Sequence, residues 1–151
     1  MLIAIGSDHG GYILKEHIRV CLDEQGIKYK DFGVNSNEAV DYPDYALVVA
    51  ESVAAGTCSL GIIVCGTGVG VSIAANKVHG IRAALCHDTF SARMAREHND
   101  ANILTMGERV VGRGLALEVV KAFIHGKFAG GRHTCRLDKI SVIESKYLKK
   151  G

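Results

Sequence analysis

The segment of this chain best equipped for chemistry is a cysteine followed at once by a glycine loop, Cys65-Gly66-Thr67-Gly68-Val69-Gly70. Glycines let the backbone turn sharply and aim several N–H groups at one point. At the start of a helix such donors, with the helix dipole, attract negative charge and favour a thiolate. Familiar loop patterns fail here. Val71 stands where G-x-G-x-x-G needs its third glycine, no Lys-Ser/Thr ending makes a P-loop, and Val71 also stands where a cysteine phosphatase carries its arginine. A cysteine at a strand end is also commonly just a packed core residue. The glycine loop favours the chemical role for Cys65, and Cys21, Cys58, Cys86 and Cys135 lack such a neighbourhood.

Other polar residues lie where loops are expected. Asp8 and His9 follow an apolar run, and Asp8 equally suits a helix cap. His98 and Asn99 close a helical pattern, where a histidine often satisfies terminal carbonyls. Arg132 and Arg136 are spaced i, i+4, which puts two forked guanidiniums on one helix face, suited to a phosphate dianion or to solvent. Arg109 fits a phosphate contact or a structural ion pair, and Tyr42 a pocket wall or a helix entry. His17, His79, His87, His125 and His133 form no ligand spacing with one another or with a cysteine, so no metal and no cofactor is expected.

The elements that must position these residues alternate along the chain. Strands are expected at Leu2–Gly6, Ile27–Phe32, Leu60–Cys65, Ile81–Cys86 and Asn102–Met106. Helices are expected at Tyr12–Gln25, stopped by Gly26, from Asp41 to about Ala55 with Pro43 in the first turn, and at Val71–Lys77, Thr89–Glu97 and Leu115–Ile124. A last helix from about Cys135 carries the stripe Leu137, Ile140, Ile143, Tyr147. Strands joined by helical crossovers predict a doubly wound, Rossmann-like α/β fold: a five-stranded parallel sheet with helices on both faces, one domain over 1–151, and an added C-terminal helix. Ligands of such sheets sit beyond the carboxyl ends of the strands.

Composition narrows the partners. The 151 residues are 48% hydrophobic and 23% charged, with a formal net charge of +2, which gives no footing for nucleic acid or a membrane surface. Five cysteines with no C-x-x-C pair fit a reducing cytosol, and the N-terminus lacks a basic leader. The uncharged run between Ser52 and Asn76 is long enough to span a bilayer, but five glycines interrupt it, so a buried strand, loop and helix start are expected.

Several of these segments occur in an order that resembles the type B ribose-5-phosphate isomerases. They are Gly6-Ser7-Asp8-His9-Gly10-Gly11, Asp41-Tyr42-Pro43, Cys65–Gly70 followed by Ser72-Ile73-Ala74-Ala75-Asn76-Lys77, Arg96-Glu97-His98-Asn99-Asp100-Ala101-Asn102, and Gly130-Gly131-Arg132-His133. The resemblance spans nearly the whole chain. It implies interconversion of ribose 5-phosphate and ribulose 5-phosphate through a cis-enediolate, in pentose phosphate metabolism, without metal.

By the same resemblance Cys65 is the base, Gly66, Gly68, Val69 and Gly70 supply amide donors, and Thr67 assists with its hydroxyl. His98 opens the sugar ring beside Asn99. Asp8 meets the sugar and His9 the phosphate, and Arg109, Arg132 and Arg136 bind the phosphate. The family also implies a homodimer, or a dimer of dimers, with shared sites. The rivals are an isomerase for allose 6-phosphate or galactose 6-phosphate and a non-catalytic binder of sugar phosphates or nucleotides, which would need the loop but neither Cys65 nor His98.

Overall fold

The computed structural model describes residues 1–148, so the last three positions of the expected 1–151 domain lie outside the described residues. In chain order the elements are β1 (Leu2–Ser7), a 3-10 turn at His9–Gly11, α1 (Tyr12–Glu24), β2 (Lys28–Asp31), α2 (Tyr42–Ala54), β3 (Leu60–Cys65), α3 (Val69–Ala75), β4 (Ala83–Leu85), α4 (Thr89–Asn99), β5 (Ile103–Gly107), α5 (Arg113–His125) and α6 (Arg132–Tyr147). The strands pair in parallel in the order β2-β1-β3-β5-β4. This is the doubly wound five-stranded α/β sheet expected from the sequence. The winding reverses between β1 and β3, which opens a crevice beyond their carboxyl ends.

β3 is buried along its whole length, and its alternation feeds two cores. Leu60, Ile62 and Val64 face α1, α4 and α5, where they join Ile3, Ile18, Leu104, Val120 and Phe123. Ile63 and Cys65 face α2 and α3 with Val49, Val53, Val71 and Ala75. Burying each large aliphatic side chain is worth about 1.5–3 kcal/mol. The uncharged stretch is therefore a strand covered on both faces, as anticipated, and among the described residues no helix is long and apolar enough to cross a membrane.

Several element ends differ from expectation for local reasons. α3 starts two residues early because Gly68, at φ 76°, turns the chain directly into it. β4 is shorter than expected. The side chain of Asn76 takes its outer edge, donating to the Ala83 carbonyl at 3.0 Å and accepting from the Ala83 amide at 2.8 Å. α6 begins at Arg132 instead of Cys135, after Gly130 and Gly131 at positive φ, so Arg132 and Arg136 share one helix. Asp41 occupies the expected cap position of α2, but its side chain makes no capping bond.

The apolar stripe of α1 conceals a charge. Lys15 is fully buried and meets Asp31 of β2 at 2.7 Å, with Glu16 at 3.2 Å. Asp31 also receives Arg19 at 3.2 Å and the Gly33 amide at 2.9 Å. A buried ammonium is tolerable only with partners of this quality. The network ties α1 to β2 and to the loop that follows it.

Candidate active site

At the carboxyl rim the chain gathers Asp8, His9, the Cys65 loop and Arg109. β3 ends on Cys65, whose Cα is in register with Gly107 of β5. Its Sγ accepts a hydrogen bond from the Gly68 amide at 3.0 Å. Cys65 is only 5% exposed, but it lies at the rim beside exposed Thr67 and Val69. The Thr67 Oγ1 accepts from the Val69 amide at 3.3 Å, which leaves its own O–H to donate. Two of the loop's amides are committed internally, and those of Gly66 and Thr67 are without a partner among the described residues.

Close packing leaves this loop little freedom. A methyl added at Gly66 would fall 2.9 Å from the Arg109 guanidinium, and one at Gly70 would fall 2.7 Å from the Tyr42 ring. Arg109 and Tyr42 therefore flank the loop on either side. The Arg109 amide donates to the Gly66 carbonyl at 3.1 Å, which fixes the base of that arginine. Upstream, Glu108 accepts the Leu14 amide at 2.8 Å, in the first turn of α1.

Asp8 caps the 3-10 turn, its Oδ1 accepting from the Gly11 amide at 3.1 Å, so the cap and a site at the rim coincide. His9 Nδ1 accepts from the Val40 amide at 3.2 Å, which makes Nε2 the ring's donor.

The remaining expected residues form a second cluster. His98 and Asn99 end α4, and Arg132 and Arg136 stand exposed on α6. His98 stacks on buried His133, ring centroids 4.2 Å apart and 14° from parallel. Burial lowers the pKa of His133, and the neighbouring His98, Arg132 and Arg136 push the same way. The Ala129 amide donates to the Glu97 carbonyl at 2.9 Å, joining the end of α4 to the approach to α6.

One chain does not bring the two clusters together. α4 leaves the carboxyl end of β4 and runs back to the amino end of β5, whereas Cys65 pairs with the last residue of β5. The length of β5 alone puts about 13 Å between the two levels. The single chain thus holds two clusters, and although His133 closes the Gly130–His133 motif, its stacking on His98 has no local signal in the sequence. A cleft of about 410 Å³ lies at the amino end, lined by Asn76, Arg82, Asn99, Ile140, Ile143 and Tyr147 among others. Among the described residues no three His, Cys, Asp or Glu side chains gather in a way that could hold a metal ion.

Fold and rim together define a parallel α/β protein whose central strand ends in a cysteine and a glycine loop, with an arginine beside it, at the edge where ligands of such sheets bind. The comparisons are specific. The family model described as ribose/galactose isomerase matches residues 3–140, and the chain belongs to that family. It is 49% identical over 144 residues to the ribose-5-phosphate isomerase B of Escherichia coli (strain K12), covering 95% of this chain and 97% of that one. The structure of Clostridium thermocellum ribose-5-phosphate isomerase B superposes with a TM-score of 0.96 at 58% identity, covering 97% and 99% of the two chains. That of ribose-5-phosphate isomerase B from Mycoplasma genitalium, with bound ribulose-5-phosphate, gives 0.92 at 42% identity, covering 96% and 97%.

Proposed function

We propose that this protein interconverts ribose 5-phosphate and ribulose 5-phosphate in the cytoplasm, with Cys65 as the base. The observation that carries the reading is the sulfur at the end of β3, held by the Gly68 amide at 3.0 Å beside amides that remain free to bind an oxyanion. The Cys65 thiolate takes the proton from C2 of the open-chain aldose. Electrons shift to O1, which the Gly66 and Thr67 amides and the Thr67 hydroxyl stabilise. The O2–H proton passes to O1, C2 becomes the carbonyl carbon, and sulfur returns its proton to C1. One fixed donor at such an oxyanion is worth about 3 kcal/mol of barrier. No step calls for a metal or a cofactor.

Ring opening and phosphate binding draw on a second copy of the chain. His98, Asn99, Arg132 and Arg136 lie too far from Cys65 to meet the same five-carbon sugar, so in a homodimer the partner's His98 gives a proton to the ring oxygen O4 as the C1–O4 bond breaks, while the anomeric hydroxyl loses its proton and C1 becomes the aldehyde carbon. The partner's Arg132 and Arg136 then join Arg109 and His9 on the phosphate, while Asp8 holds the sugar. The stripe on α6 supports this assembly, since Ile140, Ile143 and Tyr147 are 46%, 59% and 70% exposed in the single chain.

A coupled assay across ribose 5-phosphate, allose 6-phosphate and galactose 6-phosphate tests the substrate. Ribose 5-phosphate is expected to have the highest kcat/KM, and Cys65→Ala should bind it without turning it over. A Cys65→Ala protein of undiminished activity would refute the chemistry. Mixing Cys65→Ala with His98→Ala tests the shared site: random reassortment into dimers restores about a quarter of the activity, because half the dimers then hold one intact site. No recovery on mixing, with subunit exchange verified, would place both residues in one chain's site.

A further inference from the structure

We infer that His87 is a positioning residue for the Cys65 loop: its ring nitrogen Nε2 accepts the backbone amide of Gly107 at 2.9 Å and so pins the end of β5 under Thr67. The bond takes the place of a missing strand. β4 ends at Leu85, and the last backbone bond of that ladder runs from the Cys86 amide to the Thr105 carbonyl at 3.1 Å. Gly107 is buried, and with β4 already departed its amide would have no acceptor. Buried amides without partners are costly and are avoided. The side chain of His87, two residues past the strand, supplies the acceptor that the β4 backbone no longer offers. Because Nε2 accepts, the ring hydrogen sits on Nδ1.

What the bond holds in place makes it matter for turnover. A methyl added at Gly107 would lie 2.5 Å from the Thr67 carbonyl carbon and 2.6 Å from its Cα, so the end of β5 and the loop are in direct backbone contact. Gly107 is in register with Cys65. Its neighbours extend the grip, Glu108 donating to the Cys65 carbonyl at 2.9 Å and Arg109 to the Gly66 carbonyl at 3.1 Å. If Gly107 turned to find another acceptor, it would carry Thr67 with it and spread the free amides away from the oxyanion. The hydrogen bond of His87 is from Gly107, whereas that of the sulfur is from Gly68. The effect of His87 passes through Gly107.

This inference rests on the isomerase reading above, and its test separates the two. His87→Leu keeps bulk and removes the acceptor, whereas His87→Gln places an amide oxygen close to where Nε2 stands. With ribose 5-phosphate, His87→Leu is expected to lower kcat about tenfold with KM changed by less than about threefold, and His87→Gln to restore kcat to within about twofold. Long-range ¹H–¹⁵N spectra of the unsubstituted protein should show His87 as the Nδ1–H tautomer. A folded His87→Leu protein with unchanged kcat, a His87→Gln protein that is not rescued, or the Nε2–H tautomer would each overturn the inference. Should His87→Leu fail to fold, the tautomer and the His87→Gln kinetics still decide. Failure of the unsubstituted protein to isomerise ribose 5-phosphate would sink the isomerase reading instead, and the tautomer would then judge the bond alone.

Discussion

Replacing Gly68 by alanine tests how far catalysis depends on the loop's backbone geometry. Gly68 sits at φ 76°, where an L residue is strained by about 1–2 kcal/mol. The new methyl would also lie 2.6 Å from Leu85 Cδ1 and 2.6 Å from the Met106 carbonyl carbon. Leu85 can rotate aside, but the Met106 backbone belongs to β5 and cannot. The loop must therefore shift, and the 3.0 Å hydrogen bond from the Gly68 amide to Sγ breaks. Removing one fixed donor from an oxyanion site typically costs 10²–10³ in kcat, about 3–4 kcal/mol. Here the donor serves the base, so the lower end applies, about a hundredfold. Gly26→Ala is the matched control: φ is 65°, yet nothing lies within 4 Å of the added methyl. It should cost about 1 kcal/mol in urea unfolding and leave kcat unchanged. If folded Gly68→Ala retained kcat within about threefold, the reasoning that links this backbone bond to the chemistry would be wrong.

Further outcomes follow from other parts of the molecule. Lys15→Met leaves Asp31 with only Arg19 and the Gly33 amide, and should destabilise the fold by about 3 kcal/mol in urea titrations while KM stays unchanged. Alkylation near pH 8 should label Cys135, which is exposed, and Cys65 in a manner that sugar phosphate blocks. Cys86 should stay unmodified, because burial, with Asp88 adding to it, pushes its thiol up to about 11. The depressed pKa of His133 has a pH signature. Above the unfolded value near 6.5 both states leave the ring neutral, and as pH falls through 6.5 toward the folded value the unfolded chain binds the extra proton and stability drops. Thermal unfolding followed from pH 7.5 to 5 should show this acid loss, and His133→Phe should flatten it.

Much of the frame is legible in the sequence because the relevant signals are local. Alternation along Leu60–Cys65 and the stripes of α1 and α5 each need only neighbouring residues to be read. What escapes such reading depends on partners distant in sequence. Lys15 adjoins Leu14 and looks like a solvent residue until Asp31, 16 positions away, is seen to neutralise it. His133 closes the Gly130–His133 motif, but only the packing of α6 beside α4 lays it on His98. His87 belongs to the same group, and its partner is a backbone amide, which no pattern of side chains can reveal. The rim itself is readable in outline, since the Cys65 loop and Asp8 follow strands, but which amides remain free depends on how the loop closes on itself.

The separation of Cys65 from His98 is, in contrast, implicit in the connectivity. In a parallel sheet every strand runs the same way, so each crossover helix must return the chain to the amino edge before the next strand begins. Any residue at the end of such a helix is then one sheet height from any residue at the end of a strand. Cys65 ends β3 and His98 lies in the last turn of α4, so the order of elements alone puts them at opposite edges. A mechanism that needs both must bring the opposite edges of two chains together. Under the proposed mechanism a monomer would keep Cys65 and lose the partner's His98, so activity should fall with dissociation. Assays over a dilution series, paired with sedimentation equilibrium, should show specific activity tracking the dimer fraction. A fully active monomer would end the shared-site argument, however well the fold matched.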